Sequence, residues 1–117
     1  MYKKPETLKI ILKKVGEEPE VMNIENTLEA KQELVGGLIQ IASITEEILL
    51  VCNEEGKLFD FPPNLRFDYD YIAGDCFVVG DDYENADFRS LTDEEIEKYT
   101  KDLKERSFNV IFLGRED

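Results

Sequence analysis

A chain of 117 residues with 14 Lys and Arg against 27 Asp and Glu, net charge −13 and pI near 4.4, is long enough for one hydrophobic core and too short for two. Its field repels polyanions, so direct contact with nucleic acid is not expected. Histidine is absent, which removes the commonest general base and the commonest transition-metal ligand.

The apolar content of 42% fits a single folded domain over residues 1–117. No apolar run approaches the roughly 20 residues that cross a bilayer, and the N-terminus lacks a secretory pattern. The expectation is a cytoplasmic protein without a membrane partner.

In chain order, Thr7–Lys13 has the composition of a first strand. Gly16-Glu17-Glu18-Pro19 is a turn, and Glu20–Ile24 alternates polar and apolar, predicting a strand antiparallel to the first. Asn26, with Glu29 three residues on, reads as a capping box opening a helix. That helix buries Leu28, Leu34 and Val35 and closes at Gly36-Gly37, where a left-handed residue fits. The glycine pair follows a helix and precedes a strand, the reverse of a phosphate loop, so its use is structural.

Leu38–Ile44 and Ile48–Cys52 are apolar and β-branched, separated by Thr45-Glu46-Glu47. That spacing predicts a hairpin, the organising element of the fold. Asn53-Glu54-Glu55-Gly56-Lys57 is a turn by composition. Leu58–Phe61 extends the sheet until Pro62-Pro63-Asn64 stops it. Phe67, Tyr69 and Tyr71 alternate with Asp68 and Asp70. Two readings stand: a strand edge or extended loop with its aromatics turned inward, or an exposed aromatic-acidic recognition strip.

Ile72–Asp75 is a bend, Cys76–Gly80 a buried strand, and Asp81–Arg89 an acidic loop. Thr92-Asp93-Glu94-Glu95 is a second capping box, with Leu91 placed to staple Ile96. In the helix it opens, Ile96, Tyr99 and Leu103 share a face until Arg106-Ser107. Phe108–Leu113 reads as a last strand. The order β-β-α-β-β-(β)-β-α-β describes an α+β domain with a mainly antiparallel sheet of about six strands. Both helices are expected on one face.

Taken together, Val35-Gly36-Gly37-Leu38-Ile39, Asn53–Leu58, Pro63-Asn64, Ile72–Asp75 and Ser90-Leu91-Thr92 resemble a family of small domains of unknown function. Its members are encoded by bacteria, their phages and conjugative elements. The likeness spans roughly residues 8–99, and the Asn-Glu-Glu-Gly-Lys turn after a Val-Gly-Gly strand is its most specific mark. It implies a mobile-element origin and a bacterial host cell, and it implies no activity. The aromatic-acidic strip at Phe67–Tyr71 and the segment Phe108–Leu113 depart from the family pattern.

The chemistry legible in the residues is binding. Glu54 and Glu55 are adjacent, and neighbours in an extended segment face opposite ways, which disfavours a shared catalytic site. Asp81, Asp82, Glu84 and Asp87 lack the glycine and terminal glutamate of a calcium loop. Cys52 and Cys76 lie in core-like strands with no second thiol nearby, as buried free cysteines do. No cofactor or metal is expected.

Charge, by contrast, is segregated. Residues 1–15 hold five lysines against Glu6, net +4, whereas residues 68–102 hold twelve acids against three bases, net −9. The sequence therefore suggests a non-enzymatic protein with an acidic face formed by Asp68, Asp70, Asp81, Asp82, Glu84, Asp87, Asp93 and Glu94. Such a face complements a partner protein with a basic surface, by mimicry of nucleic acid. The alternative is a regulatory or peptide-binding module that uses a sheet edge, its charge serving solubility.

Overall fold

The computed structural model describes residues 1–108. Five strands make the main path of one antiparallel sheet: Thr7–Lys13 (β1), Glu20–Glu25 (β2), Ile39–Ser43 (β3), Ile48–Asn53 (β4) and Cys76–Asp82 (β7). Across the sheet they run β2-β1-β7-β4-β3, and the short Asp87–Arg89 (β8) adds a sixth strand beside the end of β7. Pro63–Phe67 (β5) and Asp70–Ala73 (β6) form a separate two-stranded hairpin. The helices are Leu28–Val35 (α1) and Asp93–Arg106 (α2).

The hairpin expected from Leu38–Cys52 is present, with Ile39 opposite Asn53 and Ser43 opposite Leu49. The first two strands pair antiparallel, and Gly36 closes α1 at φ 79°. The second capping box is complete. Thr92 accepts from the Glu95 N–H, and the Glu95 carboxylate accepts from the Thr92 N–H. Tyr99 and Leu103 are buried on the inner face of α2, as their spacing requires.

The helices do not share a face. β4 reads Ile-Leu-Leu-Val-Cys-Asn with every residue buried, and β7 is buried from Cys76 to Gly80. A strand alternates its side chains, so apolar residues at every position demand cover on both sides. Ile48, Leu50, Cys52 and Val78 face α2 and the β5–β6 hairpin, packing with Leu65, Tyr99 and Leu103. Leu49, Val51, Phe77 and Val79 face α1, packing with Val35 and Leu34. Truncating a fully buried Leu103 to alanine in such a layer costs about 2–5 kcal/mol.

Other expectations are corrected locally. Thr27, not Asn26, caps α1, accepting from the Ala30 N–H. Glu29 is thereby one residue out of step for a capping box. Asn26 is instead buried, donating to the Pro5 carbonyl and accepting from Lys31 Nζ. Leu28 is 56% exposed, because the first residue of a helix capped at Thr27 points away from the sheet.

Leu58–Phe61 is a turn rather than an extension of the sheet, closed by the Phe61 N–H on the Gly56 carbonyl. Pro63 does not stop a strand but starts β5, where its missing donor is harmless. Ile72 and Ala73 are the end of β6 rather than a bend. In the Asp81–Arg89 stretch, Asp81 and Asp82 finish β7, Tyr83–Asn85 makes one 3₁₀ turn, and β8 folds back on β7. The strand expected at Phe108–Leu113 lies, beyond Phe108, outside the described residues. Among the described residues no helix is long and apolar enough to cross a membrane.

Candidate functional site: the motif turn, the outer strand and the acidic rim

The Asn53–Lys57 turn is built by its own residues. Asn53 is buried at the end of β4, where its Nδ2 donates to the Val35 carbonyl at 3.0 Å and its Oδ1 accepts from the Glu55 N–H at 2.7 Å. One side chain thus ties the C-terminus of α1, whose last carbonyls have no helical donor, to the turn. At Gly56 a Cβ would come 2.6 Å from the Ala73 carbonyl oxygen, so only glycine lets the turn seat against β6. Lys57 reaches across to β6, ion-paired to Asp70 and 4.5 Å from the centre of the Tyr71 ring. That pairing holds the Asp70 carboxyl below its usual range and raises the Lys57 ammonium.

Between turn and hairpin lies a cleft of about 310 Å³ that Glu54, Glu55, Lys57, Tyr71 and the β3 residues Gln40 and Ala42 help to line. Glu54 is exposed and Glu55 partly so. The cleft holds carboxylates, one committed lysine and a phenol. Among the described residues no group of three or more Cys, Asp or Glu is arranged to hold a metal ion.

The acidic residues of the sequence reading fall into two places. Asp68 and Asp70 sit at the β5–β6 tip, near the C-terminal end of α2, where Arg106 donates to the Arg66 carbonyl and lies 4.3 Å from the Phe67 ring centre. Asp93 and Glu94 open α2 at its other end. Fourteen helical residues separate those ends by about 20 Å, so the eight residues do not form one continuous arc. Of the strip's aromatics, Phe67 packs against the core while Tyr69 is fully exposed and Tyr71 partly so.

The second group is the denser. Asp81 and Asp82 end β7, Glu84 lies in the 3₁₀ turn, Asp87 starts β8, and Asp93 and Glu94 lead α2. The β3–β4 turn adds Glu46 and Glu47, the Glu47 carbonyl accepting from the Asp81 N–H at 2.9 Å. Arg89 is committed within this rim, bidentate to Glu95 at 2.9 Å twice and 4.0 Å from Glu47. Hydrogen bonding from Arg89 outweighs burial and holds Glu95 below the usual carboxylate range. Tyr2 donates to Asp87 Oδ2 at 2.7 Å, which pushes the phenol up to about 12. Burial raises the Asp87 carboxyl, but the bonds from Tyr2 and the Phe88 N–H leave it lowered overall. Among the described residues Asp81, Asp82, Glu84, Asp93 and Glu94 form no ion pair.

A family model described as a domain of unknown function, DUF3846, matches residues 8–104. The chain belongs to the DUF3846 family. No curated protein and no solved structure matches it. The match runs from the second residue of β1 through nearly all of α2, so both the motif turn and the acidic rim of this DUF3846 domain lie within it.

Sequence reasoning missed the cleft-lining roles of Gln40, Ala42 and Tyr71, and two buried lysines. Lys13, 2% exposed, donates to the Lys14 carbonyl and to Asn64 Oδ1. Lys31 donates to Asn26 and lies 4.6 Å from the Phe88 ring centre. Burial lowers both ammonium groups. The available signal was an amide residue in reach of each lysine, but Asn64 is 51 residues from Lys13, a pairing that only the fold creates.

Proposed function

We propose that this DUF3846 domain is a binding protein without catalytic activity, of phage or mobile-element type and acting in the host cytoplasm. It occupies the nucleic-acid-binding surface of a basic host protein such as a defence nuclease. The observation that carries this reading is the rim of Asp81, Asp82, Glu84, Asp93 and Glu94. Among the described residues these carboxylates have no cation partner, and they sit at a strand end, in a 3₁₀ turn and at a capped helix start.

Unpaired carboxylates on a fixed scaffold present a phosphate-like field to lysine and arginine. Exposed pairs of this kind add more to encounter rate and specificity than to affinity, and they are screened beyond about 8 Å at physiological ionic strength. Asp70 contributes less than the sequence suggests, because Lys57 neutralises it.

The test is affinity capture of a basic nucleic-acid-binding protein from host lysate, at low and high salt, with wild type and a variant carrying Asp81→Lys, Asp82→Lys, Glu84→Lys and Asp87→Lys. The expected result is capture at low salt by wild type alone, reversed by added duplex DNA. Equal capture by both forms, or capture that DNA does not displace, overturns the mimicry.

A further inference from the structure

Among the described residues the main path of the sheet ends in two outer strands, β2 and β3, and they are not alike. β2 begins and ends on glutamate, Glu20 and Glu25, the charged ends that discourage a further strand. β3 reads Ile-Gln-Ile-Ala-Ser, with neither charge nor proline, and is exposed from Gln40 to Ser43.

Its hydrogen-bond phase is fixed by its two ends. The Glu54 N–H donates to the Leu38 carbonyl and the Ile44 N–H to the Ile48 carbonyl, both at 2.8 Å. In an antiparallel pair such bonding alternates, so Gln40 and Ala42 turn their amides and carbonyls toward β4. Ile39, Ile41 and Ser43 turn theirs outward. Three donors and three acceptors therefore lie along an edge that is open among the described residues.

Both faces beside that edge are hollowed. On the α1 side, Ile41, 47% exposed, with Leu49 and Phe88 floors a dent of about 250 Å³ that Asp81 and Asp87 wall. On the α2 side, Gln40 and Ala42 open on the cleft of the motif turn. Glu46 and Glu47 follow one end of the strand, and Glu54 and Glu55 stand beyond the other.

We propose that β3 receives an extended segment of the partner as an added strand, with a lysine or arginine of that segment seated in the Asp81–Asp87 dent. The aliphatic stem of such a residue suits the Ile41 and Leu49 floor and its head suits the two carboxylates. Main-chain bonds to Ile39, Ile41 and Ser43 supply affinity, and the hollows on alternate sides supply selectivity. The acidic surroundings choose a basic segment over a second copy of a chain of net charge −13. The partner's sign of charge rests on the function proposed above, whereas strand addition rests on β3 alone.

The probe is the synthetic peptide acetyl-Val-Lys-Val-Lys-Val-Lys-Val-amide, with its Glu-for-Lys counterpart, titrated into ¹⁵N-labelled protein. The expected result is that the lysine peptide shifts the amides of Ile39, Ile41 and Ser43 and slows their hydrogen exchange at least tenfold. The glutamate peptide is expected to do neither. Ile41→Pro removes one outward donor and leaves the β4 ladder whole, and it is expected to weaken the lysine peptide at least tenfold. Should that variant lose its fold, N-methylation of the peptide's central lysine on its backbone nitrogen makes the same test from the ligand side.

Shifts confined to the rim, or binding indifferent to Ile41→Pro and to N-methylation, overturn strand addition and leave the basic partner standing. Equal protection by the glutamate peptide overturns the basic segment and leaves strand addition. Protection that grows with protein concentration alone assigns the edge to a second copy and overturns the proposed occupant, as does absence of binding by both peptides at millimolar concentration.

Discussion

Asn53→Ala separates a scaffold role from a chemical one for the motif turn. The substitution removes a donor from the Val35 carbonyl and an acceptor from the Glu55 N–H. The first partner is buried at a helix end; the second is part-buried and can recruit water. A buried polar group left without its partner costs about 1–3 kcal/mol, and a net bond lost near water about 0.5–1.5 kcal/mol, so the sum is about 1.5–4.5 kcal/mol. For a domain of this size each 1 kcal/mol lowers the melting temperature by about 4–5 °C, giving a fall of roughly 6–22 °C. Urea titration and a thermal melt followed by circular dichroism measure it, the urea slope reporting whether unfolding stays two-state. A loss under about 0.5 kcal/mol, the range of an ordinary surface change, would refute the claim that Asn53 holds turn to helix and would free it for another role.

Glu54→Gln with Glu55→Gln is expected to keep stability within about 0.5 kcal/mol, measured in the same melts, since neither carboxylate forms an ion pair among the described residues. Glu95→Gln is expected to cost about 1 kcal/mol at neutral pH after allowance for solvent screening. Because Arg89 lowers the folded carboxyl from 4.5, that contribution is present above pH 4.5 and vanishes as pH falls through the folded value. Wild type and variant should therefore converge in acid, and a gap that persists below pH 2 would contradict the linkage. Cys52 and Cys76 are buried and burial raises both thiols, so a thiol reagent should label them only as fast as the fold opens; rapid labelling without denaturant would show one exposed.

Much of this architecture was legible because local chemistry wrote it. The hairpin followed from two β-branched runs around three polar residues, α2 from the Thr92–Glu95 box, and the end of α1 from Gly36. What stayed hidden depended on distant pairing. Asn26 looked like a cap because Glu29 lay three residues on, but the fold gave its amide to Pro5 and Lys31, and Thr27 took the capping position. The acidic arc read as continuous because sequence places Asp68 near Asp81. The helix α2 carries the two ends of that arc about 20 Å apart. The opposite-face placement of the helices had a signal that went unused: the unbroken apolar runs of β4 and β7 ask for two covers, not one.

The same two-sided cover explains why the open edge falls where it does. β2 and β3 stand at opposite edges of the sheet, so the chain between them must cross a whole face, and α1 makes that crossing. The return from β4 to β7 uses the other face, where the β5–β6 hairpin and α2 fill the space above Leu50 and Val78. Among the described residues every covering element is thus spent on the faces, over β1, β7 and β4, and none flanks the outer side of β3. An edge bare for that reason would ordinarily be blunted by charge within the strand. Here the charge sits around the strand, at Glu46, Glu47, Glu54 and Asp81, while Ile39–Ser43 stays neutral. That arrangement repels a second copy of the chain through long-range like charge and still leaves the backbone of Ile39, Ile41 and Ser43 open to a segment of opposite sign.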